Sequence, residues 1–162
     1  MSQINAPWIL RSLLLALSLT VAGPALAGPG HAHAPLTAVD LLGAIDVGLT
    51  DTLMRQYGLD EAAATRFLDD TKQRRYVRQR ALSALTILRT DSARQRIERA
   101  ALSDHDQTVR AEAIVVLARG FAQLGDAAAE RFLRHTATAQ LKGHPAEVLR
   151  HELARLTRLA QP

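Results

Sequence analysis

Asp106-Gln107-Thr108-Val109-Arg110-Ala111-Glu112-Ala113-Ile114-Val115-Val116-Leu117 is the stretch whose reading decides the fold. Asp106 is a good helix N-cap, because its short side chain can accept from amides of the first turn. Val109, Ala113, Ile114 and Leu117 then recur at helical spacing. From Ala113 to Ala118 every residue is apolar, so the helix has no wet face there. A helix apolar all round must be enclosed by neighbours.

The same pattern occurs on both sides. Val77, Val109 and Val148 align, followed five residues on by Leu82, Ile114 and Leu153, and eight on by Leu85, Leu117 and Leu156. At about 100° per residue these positions fall near 0°, 140° and 80°, one continuous apolar stripe. Ala81 and Ala113 match at offset four, where Glu152 departs; Arg78 and Arg110 match at offset one, where Leu149 departs. Spacings of 32 and 39 residues between the three valines suit helix-pair repeats.

Partner helices lie between. One runs from Asp91 to Ser103 after a Thr90-Asp91 cap; another runs from Asp126 to Leu141 after Gly125. Ser103-Asp104-His105-Asp106 and Lys142-Gly143-His144-Pro145 are the connecting turns. Upstream, Ala38, Leu41, Leu42 and Ile45 share a helical face, and Thr52 to Tyr57 forms a short helix ended by Gly58. Asp60 starts a third, with Ala63, Ala64, Phe67 and Leu68 on its stripe. Asp69 to Gln73 is polar and reads as a turn.

Asp104 to Leu117 resembles the second half of a HEAT-like repeat, whose pattern is Asp-x-Asp-x-x-Val-Arg-x-x-Ala-x-x-x-Leu. Residues 74–88 match less completely and lack the paired Asp; residues 145–160 match weakly. The resemblance spans residues 60–160. It implies an all-α fold, a short right-handed superhelix of about three helix pairs behind an N-terminal helical cap. It also implies that the Asp and Arg form a structural ladder between repeats, and it implies no reaction.

The first residues read as an export signal. Arg11 precedes an uncharged apolar run from Ser12 to Gly23, and Ala25-Leu26-Ala27 is an A-x-A site, so cleavage is expected after Ala27. That run of 12 residues is short for a membrane span, which needs roughly 20. The domain reading is therefore a signal peptide over 1–27, a Gly/Pro/His leader over 28–36, the helical cap over 37–73 and the repeats over 74–162. A bacterial periplasmic or secreted location follows. The chain has no Cys, which removes thiol catalysis, Cys-ligated zinc and disulfides.

Charge is uneven. Residues 28–70 hold seven acids against Arg55 and Arg66, a net −5; residues 71–162 hold 17 bases against nine acids, a net +8. A basic surface of this kind suits an anionic partner or a peripheral contact with anionic lipid. Nucleic acid is not expected of an exported chain.

Neither G-x-S-x-G nor H-E-x-x-H occurs. Gly120 to Gly125 has the glycine spacing of a phosphate loop, but Asp126-Ala127 stands where Lys-Ser/Thr is needed. Three candidate sites remain. His144, Glu147 and His151, with leader residues His31 and His33, are a possible metal set. Lys72, Arg74, Arg75, Arg78 and Arg80 form the densest basic run. Arg78, Gln79, Arg80, Arg110, Glu112, Arg150 and His151 occupy corresponding non-stripe positions of the repeated helices, and form the expected partner-facing row. The expectation is an exported, non-enzymatic helical-repeat binding module without cofactor, presenting a charged surface to a protein partner. Metal binding through His144, Glu147 and His151 is the alternative.

Overall fold

The computed structural model describes residues 36–137 and 141–161. Among them there are eight α-helices, one 3-10 turn and no strand. The all-α expectation holds. The helices are α1 (Ala38–Gly43), α2 (Asp51–Gln56), α3 (Glu61–Asp69), α4 (Arg75–Leu88), α5 (Asp91–Ser103), α6 (Gln107–Gly120), α7 (Ala127–Thr136) and α8 (His144–Leu159). The 3-10 turn is Ala122–Leu124. His31 and His33 and the expected signal and leader segments up to Pro35 lie outside the described residues.

Short polar side chains start the helices where the sequence places them. Asp60 Oδ1 accepts from the Ala63 amide at 2.7 Å and Thr90 Oγ1 from Ala93 at 3.0 Å. Asp106 Oδ1 accepts from Thr108 at 2.8 Å, and Asp126 Oδ1 from Ala128 and Ala129 at 2.9 and 3.0 Å. Each cap satisfies amides that have no partner inside the helix. α8 differs: Gly143 stands at its N-cap without a side-chain bond, and Pro145 lies in its first turn.

α6 is the centre of the packing. It lies against α4, α5, α7 and α8, and α3 pairs with α4 as α5 pairs with α6. Val109, Ala113, Ile114, Leu117 and Ala118 are fully buried, and Ala111 and Val116 are buried as well. The enclosed helix expected from Ala113–Ala118 is therefore present. Leu82, Leu85, Ile97, Leu133 and Leu149 complete the core around it.

α3, with Ala63, Ala64 and Leu68 buried, packs on α4. One helix boundary differs from the sequence reading. α7 ends at Thr136, five residues before the expected Leu141. Leu141 is half-buried against the core outside any helix.

The glycines after α6 are packing and turn residues. A Cβ on Gly120 would lie 2.0 Å from Thr86 Cγ2, so the Thr86 side chain of α4 fills the space left where Gly120 of α6 has no side chain. Thr86 cannot swing aside freely. Its Cβ is branched, and its hydroxyl donates to the Leu82 carbonyl at 2.9 Å. Gly120→Ala is expected to cost about 1–3 kcal/mol through overpacking. Thr86→Ala in the same chain should recover most of that loss. Thermal melting checks both, and an unchanged melting temperature in Gly120→Ala alone would refute the close approach. Gly125, at φ +92°, closes the 3-10 turn in the left-handed region that suits glycine.

Candidate functional site

The seven residues of the expected partner-facing row do not form one surface. Arg78 is the clearest correction, since only 3% of it is exposed. Its Nε donates to the Leu68 carbonyl at 2.8 Å, and Nη1 and Nη2 donate to the two oxygens of Asp104 at 3.1 and 2.5 Å. Asp104 is as buried as its partner and also accepts from the Asp106 amide at 2.9 Å. The reason is angular. Offset one falls near 100°, between the two leucines of the stripe, so the side chain points inward. Arg75, one turn earlier on α4, donates to Asp106 Oδ2 at 2.6 Å and holds that carboxyl below the ordinary aspartate range.

Arg80 is also engaged internally. Its Nη2 donates to the carbonyls of Val47 and Leu41 at 2.6 and 3.3 Å, and its guanidinium lies 5.9 Å from the centre of the Tyr76 ring. The Tyr76 hydroxyl reaches the Ala44 and Ile45 carbonyls at 3.4 Å. Together they fasten the 41–47 segment to α4. Gln79 beside them is half-buried. The basic run of residues 72–80 is thus largely structural.

A second internal cluster forms around a carboxylate that the sequence reading treated as a departure from the repeat, and its partners Arg119 and Arg155 are not members of the expected row. Glu152 is 1% exposed, in the stripe position that Ala81 and Ala113 fill elsewhere. Arg119 Nη2 and Nε donate to its Oε1 at 2.6 and 3.2 Å, and Arg155 Nε donates to Oε2 at 2.7 Å. Arg155 continues to Gln123 Oε1 at 2.7 Å. It therefore links α8 to the 3-10 turn. His151 Nδ1 stands 3.7 Å from Glu152 Oε1. Arg150 is exposed and leans on its own helix.

Two glutamates here respond to pH in opposite directions. Burial works against the charge on Glu152, but the hydrogen bonds and attraction of Arg119 and Arg155 outweigh it and hold the carboxyl below the ordinary glutamate range. Half-buried Glu112 is pushed upward by burial, which Arg119 only partly offsets. A depressed carboxyl adds stability above its unfolded pKa, about 4.3, and that stability is lost as pH falls through the folded value. A raised carboxyl does the reverse: its cost appears as pH rises from about 4.3 through the folded value. Glu152→Gln is therefore expected to lose about 2 kcal/mol at pH 7, with the gap from the parent closing in acid. Glu112→Gln should be neutral or stabilising at pH 7. Urea melts of both variants from pH 3 to 8 check the signs.

Among the described residues no group of three or more His, Asp or Glu side chains is placed to hold a metal ion. His144, Glu147 and His151 are all exposed along α8 but do not assemble as a ligand set. Helical spacing aligns residues on a face without bringing their donor atoms to one point.

The apolar surface was not anticipated as a site. Leu36, Val39, Ile45 and Val47 are exposed around α1, Ile45 to 76% and Leu36 to 63%. Leu36, Leu41, Ala44, Val47, Leu53 and Tyr57 line a groove of about 160 Å³ with Asp40 at its edge. Leu36 and Val47 fall outside the helical stripe of α1, and singly such residues are ordinary on a surface; the fold sets them side by side. No helix among the described residues is long and apolar enough to cross a membrane. No protein-family model, curated protein or solved structure matches the chain.

Proposed function

We propose that the chain is an exported, non-enzymatic helical binding module of the HEAT-like kind, and that its partner is a protein. The aliphatic groove beside α1 carries this reading. Large aliphatic side chains held side by side in water mark interaction surfaces on folded proteins. The charged residues first expected to do this work are largely committed to the fold, Arg78 to Asp104 and Arg80 to the 41–47 segment. Repeat stacks use such surfaces for binding and need no catalytic group.

The test is a crosslinking capture from envelope extract with a photoreactive residue at Ile45. The expected result is one dominant crosslinked protein, lost in Val47→Asp without a fall in melting temperature. Equal capture by Val47→Asp would overturn the groove as the binding surface.

A further inference from the structure

Arg110 occupies the same place on α6 that Arg78 occupies on α4, 32 residues earlier. Arg78 is answered by a backbone carbonyl and by the carboxylate of Asp104, which lies in the turn that leads into α6. The equivalent turn leads into α8, and its described residues, Leu141, Lys142 and Gly143, hold no carboxylate. This turn lies against the same end of α6. A Cβ on Gly143 would be 3.7 Å from Oε1 of Gln107, which is one turn from Arg110. Gln107 is itself the counterpart of Arg75, whose partner Asp106 is also missing from the second turn.

The Nε of Arg110 is fully buried and has no hydrogen-bond partner, and its guanidinium makes no ion pair among the described residues. Its side chain is only half-buried, so the outer nitrogens stay within reach of solvent. A buried donor without an acceptor loses its hydration and gains nothing in return. A guanidinium presents paired N–H groups in a fixed fork that matches the two oxygens of a carboxylate. We propose that Arg110, beside Gln107 and Gly143, forms a binding slot for one carboxylate supplied from outside the chain. It takes the place that Asp104 fills in front of Arg78. The slot is distinct from the aliphatic groove, and rests on the binding-module reading only for where the carboxylate comes from.

The Nε–H of Arg110 gives a direct readout, because a buried N–H exchanges slowly enough to be seen by NMR. The chain from Gly28, labelled with 15N, is titrated with sodium acetate at constant ionic strength set by chloride. A second arm uses an N-acetylated, C-amidated peptide with a single Asp. Arg110→Lys, which keeps the charge but loses this resonance, assigns it. The expected result is a saturable shift at Arg110 Nε–H and none at Arg78 Nε–H, which already donates to Leu68. Saturation by the peptide at lower concentration than acetate identifies a protein-borne carboxylate; saturation at equal or higher concentration identifies a free small acid. A shift that never saturates, or that occurs equally at Arg78, overturns the slot. Neither result bears on capture at the groove, so the two readings fail independently.

Discussion

Arg78→Met is expected to cost about 3–5 kcal/mol, the usual loss when one partner of a buried ion pair is removed. Both side chains of the pair are about 95% buried, so solvent cannot repair the break. Three interactions go at once: the bond to the Leu68 carbonyl and the two to Asp104. They tie the end of α3, the start of α4 and the turn before α6 to one guanidinium. What remains is a carboxylate that keeps the Asp106 amide at 2.9 Å and has His105 Nδ1 at 3.4 Å. The diagnostic variant is therefore the double one. Arg78→Met with Asp104→Asn removes the stranded charge yet keeps an acceptor for that amide. It should be clearly more stable than Arg78→Met alone, because most of the single-variant loss is the unpaired charge rather than the missing bond. Urea denaturation of the chain from Gly28 measures all three species. A loss below about 1 kcal/mol in Arg78→Met would place the arginine in water and restore it to the partner-facing row.

The contrast between Arg78 and Arg110 shows how far the sequence could be read. Periodicity located the helices, because a stripe of Val, Ala, Leu and Ile at 3.6-residue spacing has few other solutions. It located the enclosed helix as well, since Ala113–Ala118 has no polar side to leave in water. Polar residues were harder. A charged side chain inside an apolar stripe looks like an interruption, and a surface role is the easy inference. Arg78 and Glu152 both sit at stripe angles, and both are buried because a distant residue answers them: Asp104 from 26 positions away and Arg119 from 33. Such long-range partners are invisible to local spacing. Arg78–Asp104 is one such long-range pair, joining α4 to the turn before α6. Arg80 was missed for a related reason. Its acceptors are backbone carbonyls of residues 41 and 47, and a carbonyl leaves no trace in side-chain chemistry. The groove was missed because aliphatic residues outside a stripe are common on surfaces, and only their adjacency in the fold marks Leu36 and Val47.

Ile114→Asp should be the most damaging substitution on α6, exceeding about 4 kcal/mol and leaving the chain unfolded or nearly so at neutral pH. Ile114 is fully buried on α6, the helix that packs against α4, α5, α7 and α8. Arg78 is held by Asp104 and Arg119 by Glu152, and Arg110, one turn earlier on α6, keeps its outer nitrogens toward solvent. The new carboxylate must therefore be buried uncompensated or be protonated. That choice makes the effect pH-dependent in a defined direction. Burial raises the pKa of an unpaired Asp above its unfolded value of about 3.9, so the folded state binds more protons than the unfolded state over that window. The destabilisation then grows as pH rises from about 4, and part of it is recovered in acid. Ile114→Val removes one methylene and no more, and should cost about 0.5–1.5 kcal/mol with no pH dependence of its own. Asn at the same position separates polarity from charge: it should lose stability too, but without the slope against pH. Circular dichroism melts of the three variants between pH 4 and 8 resolve these outcomes. An Asp variant that melts like the parent at pH 7 would mean that α6 has a wet face at Ile114, and the central position of this helix in the packing would have to be abandoned.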